Sequence, residues 1–253
     1  MKKIVLNLLD KMGYTLQKNS VANKYSDIQE VEFWEIFEFC KPYTMTSIER
    51  MYSLYSSVRY VLEKGLEGDF VECGVWRGGS AMMIAKMLAS RNITERKIYL
   101  YDTFEGMSAP TDMDVTQDGE RAGALLQSGI NDKENSVWCL AGIDDVKQNM
   151  ARTGYAQEQI VFVAGKVEDT LPAQVPTGKI ALLRLDTDWY ESTKHELEIL
   201  FPLLVDHGIL LIDDYGHWKG CRKAVDEYFA RYNQPILLNR VDYTGRLVRK
   251  NLG

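Results

Sequence analysis

A chain of 253 residues with 45% hydrophobic side chains can bury a substantial core, as one large α/β domain or two small ones. Its formal net charge of −6 disfavours a nucleic-acid partner, which would need a basic footprint, and no apolar run approaches the roughly 20 residues that span a bilayer. The four cysteines, Cys40, Cys73, Cys139 and Cys221, are scattered with no CxxC pair and no zinc spacing to His195, His207 or His217, so free thiols in a reducing, cytoplasmic setting are expected.

Met1-Lys2-Lys3 and the apolar stretch 4–9 resemble the start of a secretory signal. Asn7 and Asp10 interrupt it and no small-residue cleavage site follows, so an amphipathic helix is expected. Residues 1–45, rich in aromatics (Phe33, Trp34, Phe37, Phe39), read as a helical N-terminal extension for oligomerisation or as a lid, ahead of a main domain over 46–253. Thr46 and Glu49 make a capping-box pattern. Ile48, Met51, Tyr55, Val58 and Leu62 then recur at helical spacing until Gly65, which can end the helix.

Strands are predicted over 70–73, 97–101, 160–164, 180–184 and 208–212, and helices over 79–90, 142–153, 192–204 and 219–232. This alternation specifies a parallel sheet with helices on both faces. Segments 236–241 and 246–250 flank a Tyr243-Thr244-Gly245 turn and read as an antiparallel hairpin. The expected fold is α/β: a Rossmann-like, doubly wound, mostly parallel seven-stranded sheet with an antiparallel C-terminal hairpin, the form of a class I SAM methyltransferase. Residues 105–136 show no clear period, and a stretch this long in a compact domain is either a lid over the ligand side or a mobile surface loop.

The strand over 70–73 runs into Gly74-Val75-Trp76-Arg77-Gly78-Gly79-Ser80. Glycine has no Cβ, so a ligand can approach such a turn closely. The spacing from Glu72 onward, E-x-G-x-x-x-G-G, is not the G-x-G-x-x-G of a dinucleotide loop. The acid repels phosphate and suits a ligand with a cationic amino-acid end, such as S-adenosylmethionine (SAM). Asp102, ending the second strand, can accept both hydroxyls of a ribose; a helix cap is the alternative, and NAD enzymes carry such an acid too.

The fourth strand ends in Asp186-Thr187-Asp188 and the fifth in Asp213-Asp214. In a doubly wound sheet these ends are neighbours, and uncompensated carboxylates there repel. A hard cation, Mg²⁺ or Ca²⁺ rather than zinc, would resolve that cost. Capping of the following helices, or pairing with Lys and Arg, is the alternative.

The blocks GDFVECGVWRGGS, LRLDTDWYEST and LLIDDYGHWKGCRKAVDEY, with YTMTSIERM ahead of them, resemble the macrocin O-methyltransferase family, whose members methylate sugar hydroxyls of macrolide and aminocoumarin natural products. The resemblance extends from Tyr43 to Arg249. It implies that Asp186, Asp213 and Asp214 are Mg²⁺ ligands and that Asp188 is the general base. It places Glu72, Gly74 and Ser80 on the SAM loop, Asp102 at the ribose, and Thr44 and Met45 beside the cofactor. It also implies a homo-oligomer.

The implied reaction is Mg²⁺-dependent methyl transfer from SAM to a sugar hydroxyl of a glycosylated metabolite, nucleotide sugar or polysaccharide precursor. A catechol-type O-methyltransferase and a SAM-binding homologue without activity are the alternatives, and the glycine spacing disfavours an NAD oxidoreductase. His217, just past the acid pair, competes with Asp188 as base unless it is a packing histidine. Trp189 and Tyr190 line the acceptor pocket or belong to the core. Arg77 reaches the cofactor carboxylate or stays at the surface. Glu191, Glu196 and Glu198 are expected on a solvated helix face.

Overall fold

The computed structural model describes residues 24–132, 138–171, 173–232 and 234–251. The amphipathic helix expected at the very N-terminus lies outside them. The chain divides into two compact units, Met1–Trp34 and Glu35–Gly253, a boundary ahead of the one expected at residue 45. Within the first unit the Trp34 indole N–H donates to the Ile28 carbonyl at 3.0 Å, and the Phe33 and Trp34 rings meet edge-on at 5.0 Å. Helix α1 (Val31–Cys40) leads to a 3₁₀ turn over Lys41–Tyr43.

Helix α2 (Ile48–Glu63) is capped by Ser47, whose Oγ accepts the Arg50 N–H at 3.2 Å. The expected cap at Thr46 is therefore displaced by one residue, because the Thr46 hydroxyl is engaged by Arg184 instead. Gly65, at φ +66°, ends the helix as anticipated.

Strand β1 (Asp69–Cys73), helix α3 (Gly79–Ser90), β2 (Ile98–Asp102), α4 (Ala122–Ser128), α5 (Ile143–Ala151), β3 (Ile160–Ala164), α6 (Val167–Thr170), β4 (Ile180–Leu185), α7 (Tyr190–Leu200), β5 (Leu204–Ile212) and α8 (Lys219–Ala230) follow in turn. The short β6 (Asn239–Arg240) and β7 (Arg246–Arg249) close the chain as a hairpin. The predicted helix over 192–204 ends early because Phe201-Pro202-Leu203 forms a 3₁₀ turn, and proline offers no N–H to a continuing helix. Strand β5 accordingly starts at Leu204 rather than Gly208.

The seven strands lie in the order β3-β2-β1-β4-β5-β7-β6, parallel from β3 to β5, with β7 antiparallel to β5. The strand order reverses between β1 and β4, and a doubly wound sheet opens a crevice at the C-terminal ends of its strands at that point. The backbone ladder continues into this crevice. Gly74 N–H donates to Tyr101 O at 2.9 Å, Asp186 N–H to Cys73 O at 2.8 Å and Asp213 N–H to Leu185 O at 2.9 Å.

Alternation along the strands splits the core into two faces. Val71, Cys73, Leu183, Leu185, Leu210 and Ile212 pack with Leu197, Leu200 and Val225 of α7 and α8. On β1 and β4, Phe70, Glu72, Leu182 and Arg184 alternate with that set, and all four are buried. Over its described residues, 105–132, the segment expected as a lid or surface loop is held to the domain by specific contacts. Asp114 is 1% exposed, its carboxylate accepts the Tyr190 N–H at 2.8 Å and the Thr111 N–H at 2.6 Å, and α4 buries Ala122 and Leu126. The first turn of α7 is thereby capped from outside its own sequence neighbourhood. Trp189 and Tyr190 belong to the core, at 3% and 7% exposure.

Candidate active site

The crevice at the strand reversal is an open cleft with a cavity volume of about 240 Å³. Of the residues expected at the site, Thr44, Met45, Gly74, Ser80, Asp102, Asp186, Asp188, Asp213 and Asp214 line it. Gly74 sits at φ +80°, and a Cβ there would lie 1.9 Å from the Asp186 carbonyl oxygen, so only glycine lets β1 and β4 deliver their ends this close. Gly79 packs as tightly on the Tyr43–Thr44 backbone, with 2.6 Å to Tyr43 O from a would-be Cβ, which brings Thr44 to the rim. Ser80 is buried, its hydroxyl facing the Met51 sulfur at 3.8 Å.

Asp102 braces the glycine turn. One oxygen accepts the N–H groups of Val75 and Trp76 at 2.6 and 3.2 Å, and the other accepts that of Phe104 at 2.7 Å. Burial raises its pKa, and these donors offset part of the rise. The Thr103 hydroxyl also lies 3.4 Å from the second oxygen, so the roughly four lone-pair sites of the carboxylate are approached by four donors of the chain itself.

Two expected residues do not line the cleft. Glu72 is 1% exposed and pairs with Arg184 at 2.5 Å, its cross-strand partner in the β1–β4 register. It acts on the cleft through Arg184, not as a direct cofactor contact. Burial pushes Glu72 up to about 7 against the opposing pull of Arg184. His217 stacks edge-on against Trp218 and Tyr243, with centroids at 4.8 and 6.3 Å, and burial, then Arg50, lower its pKa. It packs against these rings and is not among the residues that line the cleft. Arg77 is held by Asp145 at 2.9 Å, so the surface alternative describes it.

The four aspartates converge as the strand order requires, but they are satisfied in two ways. Arg184, with its side chain 3% exposed, reaches Asp186 at 2.8 Å and Asp213 at 3.0 Å as well as Glu72. Arg50 of α2 also pairs with Asp213, and with Asp242 at 3.1 Å. Asp188 and Asp214 hydrogen-bond each other. Asp188 also accepts the Trp218 indole N–H at 2.9 Å. Burial, and then the neighbouring carboxylates, raise both pKa values. The Oδ2 of Asp214 is buried without a hydrogen-bond partner. Asp188 has φ +68°, and the Trp189 N–H donates to Thr187 O at 2.7 Å, so the acid occupies the centre of the rarer, strained kind of γ-turn.

The donor chemistry suits a hard divalent cation: all oxygens are carboxylate, and the orphaned Asp214 oxygen is an acceptor that a cation would satisfy. In the arrangement seen here Asp186 and Asp213 face guanidinium groups. No cluster of three or more His, Cys, Asp or Glu side chains among the described residues is arranged to hold a metal ion. A cation would therefore have to displace these arginine contacts.

The sequence reading missed Arg50, Arg184 and the β3–α6 turn over 165–168, all of which line the cleft. The signal for Arg184 was present: a cation inside the apolar run Ile180-Ala181-Leu182-Leu183-Arg184-Leu185 needs a buried acid nearby. No helix among the described residues is long and apolar enough to cross a membrane.

Residues 6–250 match the macrocin-O-methyltransferase (TylF) family. The chain is 36% identical over 203 residues to the 8-demethyl-8-(2,3-dimethoxy-alpha-L-rhamnosyl)-tetracenomycin-C 4'-O-methyltransferase of Streptomyces olivaceus, covering 80% of this chain and 74% of that one. It is 30% identical over 209 residues to the mycinamicin III 3''-O-methyltransferase of Micromonospora griseorubida, covering 83% and 79%. The solved structure of the O-methyltransferase NovP superposes with a TM-score of 0.70 at 32% identity, covering 83% of this chain and 82% of that one. The cleft, its glycine turn and its aspartates all fall within the matched residues, and the chain belongs to the macrocin-O-methyltransferase family, as a class I SAM-dependent O-methyltransferase.

Proposed function

We propose that this enzyme methylates a hydroxyl on the sugar of a glycosylated natural product, with Asp188 as the general base. The observation that carries the reading is the Asp188–Asp214 pair on the wall of the same cleft as the glycine turn, where no ion pair reaches either acid among the described residues. The sugar acceptor is supported by the relatives, whose names place their methyl groups on a rhamnosyl 4' oxygen and on a 3'' oxygen.

The residues divide the work as follows. Gly74 and the turn after it let the cofactor lie against backbone, and Asp102, on the cleft wall at the end of β2, takes the ribose hydroxyls in exchange for its weakest contact, the Thr103 hydroxyl at 3.4 Å. The excess of acid around the cleft favours a sulfonium cation over a phosphate. The methyl group is already activated by its sulfonium, so the protein supplies alignment and a proton acceptor. Asp188 takes the hydroxyl proton as the oxygen attacks, while Trp218 and the γ-turn fix the carboxylate's direction. Mg²⁺, held by Asp186, Asp213 and Asp214, would lower the pKa of the acceptor hydroxyl. A homo-oligomer in solution is part of the same reading, and light scattering checks it.

The test is a methyl-transfer assay over sugar glycosides, nucleotide sugars and catechols, with Mg²⁺ and with EDTA. Turnover on a glycoside that EDTA abolishes and Mg²⁺ restores is the expected result. Turnover on catechols alone overturns the sugar acceptor. Full turnover in EDTA overturns the metal and leaves Arg50 and Arg184 as the groups that hold the aspartates.

A further inference from the structure

Glu196 lies on α7, beneath the loop that carries Asp186 and Asp188, and is 0% exposed. It is not on the solvated helix face expected for it. Its two oxygens lie 2.9 and 3.1 Å from the Thr187 hydroxyl, and the Cys73 thiol hydrogen-bonds the same carboxyl. Thr187 thus sits between the two acids, tied from below to α7 and to the end of β1. The Ser192 hydroxyl lies between the Trp189 carbonyl at 3.1 Å and the Thr187 carbonyl at 3.3 Å, the latter being the oxygen that closes the γ-turn around Asp188. A left-handed φ at a non-glycine residue persists only where its surroundings over-determine it. The Asp188 carboxyl is held by Trp218 and Asp214, and the backbone of its turn is anchored from below through Thr187.

We propose that Thr187 and Glu196 form a buried clamp whose task is to hold Asp188 in its strained turn, aimed into the cleft. Both are positioning residues, and the inference rests on the reading of Asp188 as the base. Burial raises the Glu196 pKa well above the carboxylate range, and the Thr187 hydroxyl donates to the Glu196 carboxyl. A glutamine keeps an oxygen that can accept this bond in nearly the same shape. A valine at 187 keeps the shape and removes the hydroxyl.

The Trp218 indole N–H, which donates to Asp188 at 2.9 Å, reports the aim of the base without any acceptor present. In ¹⁵N-labelled protein its resonance is assigned through Trp218→Phe. Thr187→Val is expected to move that resonance, leave SAM affinity by calorimetry unchanged, and cut turnover by roughly 100-fold, the scale for misplacing a catalytic group by about 1 Å. Glu196→Gln is expected to keep both the resonance and the turnover of the parent chain. An unmoved resonance in Thr187→Val, or a moved one with full turnover, overturns the clamp. Should the parent chain methylate no acceptor, the proposed reaction fails, and the indole resonance alone still decides whether Thr187 and Glu196 aim Asp188.

Discussion

The two sides of the β4 end solve one problem differently. On the α2 side, buried acids are met by cations: Arg184 joins Glu72, Asp186 and Asp213, and Arg50 joins Asp213 and Asp242. On the α7 side, Asp188, Asp214 and Glu196 have no cation against them among the described residues, and their burial raises their pKa values. On the first side burial also raises the Glu72 and Asp213 pKa values, but guanidinium groups pull against the rise and hold the loop in register. On the second no cation among the described residues opposes the rise, and that is where the proposed base lies. Two residues of one strand-end loop, Asp186 and Asp188, thus have different chemistry because they fall on opposite sides of this divide.

Breaking the charged side has the largest expected effect. Arg184→Met leaves Glu72 and Asp186 without an ion-pair partner among the described residues while Asp213 keeps Arg50, and loss of one partner of a buried pair costs about 3–5 kcal/mol, a large share of a typical domain's stability. Urea unfolding reads this as a fall in midpoint; an unchanged midpoint would show the lattice to be incidental. On the other side, Asp188→Asn removes the proton acceptor with little change in shape. Turnover should fall by about 10²–10⁴ with SAM binding retained, and a variant of full activity removes Asp188 as the base.

The smallest effect belongs to Arg77–Asp145, an ion pair more than a third exposed on each partner. The Arg77 hydrogen bond, more than its charge alone, lowers the Asp145 pKa. A depressed carboxylate pKa adds stability above the unfolded value near 3.9, and that stability is lost as pH falls through the folded value. Solvent screening keeps it below about 1 kcal/mol. Arg77→Ala should therefore cost little at neutral pH, and the difference from the parent chain should vanish in acid. A cost as large as that of Arg184→Met would mean that exposure does not separate the two kinds of pair.

Much of this was written in local pattern. Alternating strands and helices, the glycine turn after Cys73 and the paired aspartates after β4 and β5 are each decided within a few residues, because strand period, turn chemistry and helix period are short-range properties. Those features sufficed for the doubly wound sheet and for the glycine turn and the aspartates of the cleft wall. What local pattern could not decide was which acid meets which partner. Glu72 and Arg184 are 112 positions apart and become neighbours only through the β1–β4 register. Glu196 looks like one more surface acid on α7 until the helix packs it against Thr187 and Cys73. Whether a buried carboxyl is a charged brace or a proton carrier depends on its distance to a cation and on its loss of water, and both are set when distant segments pack together.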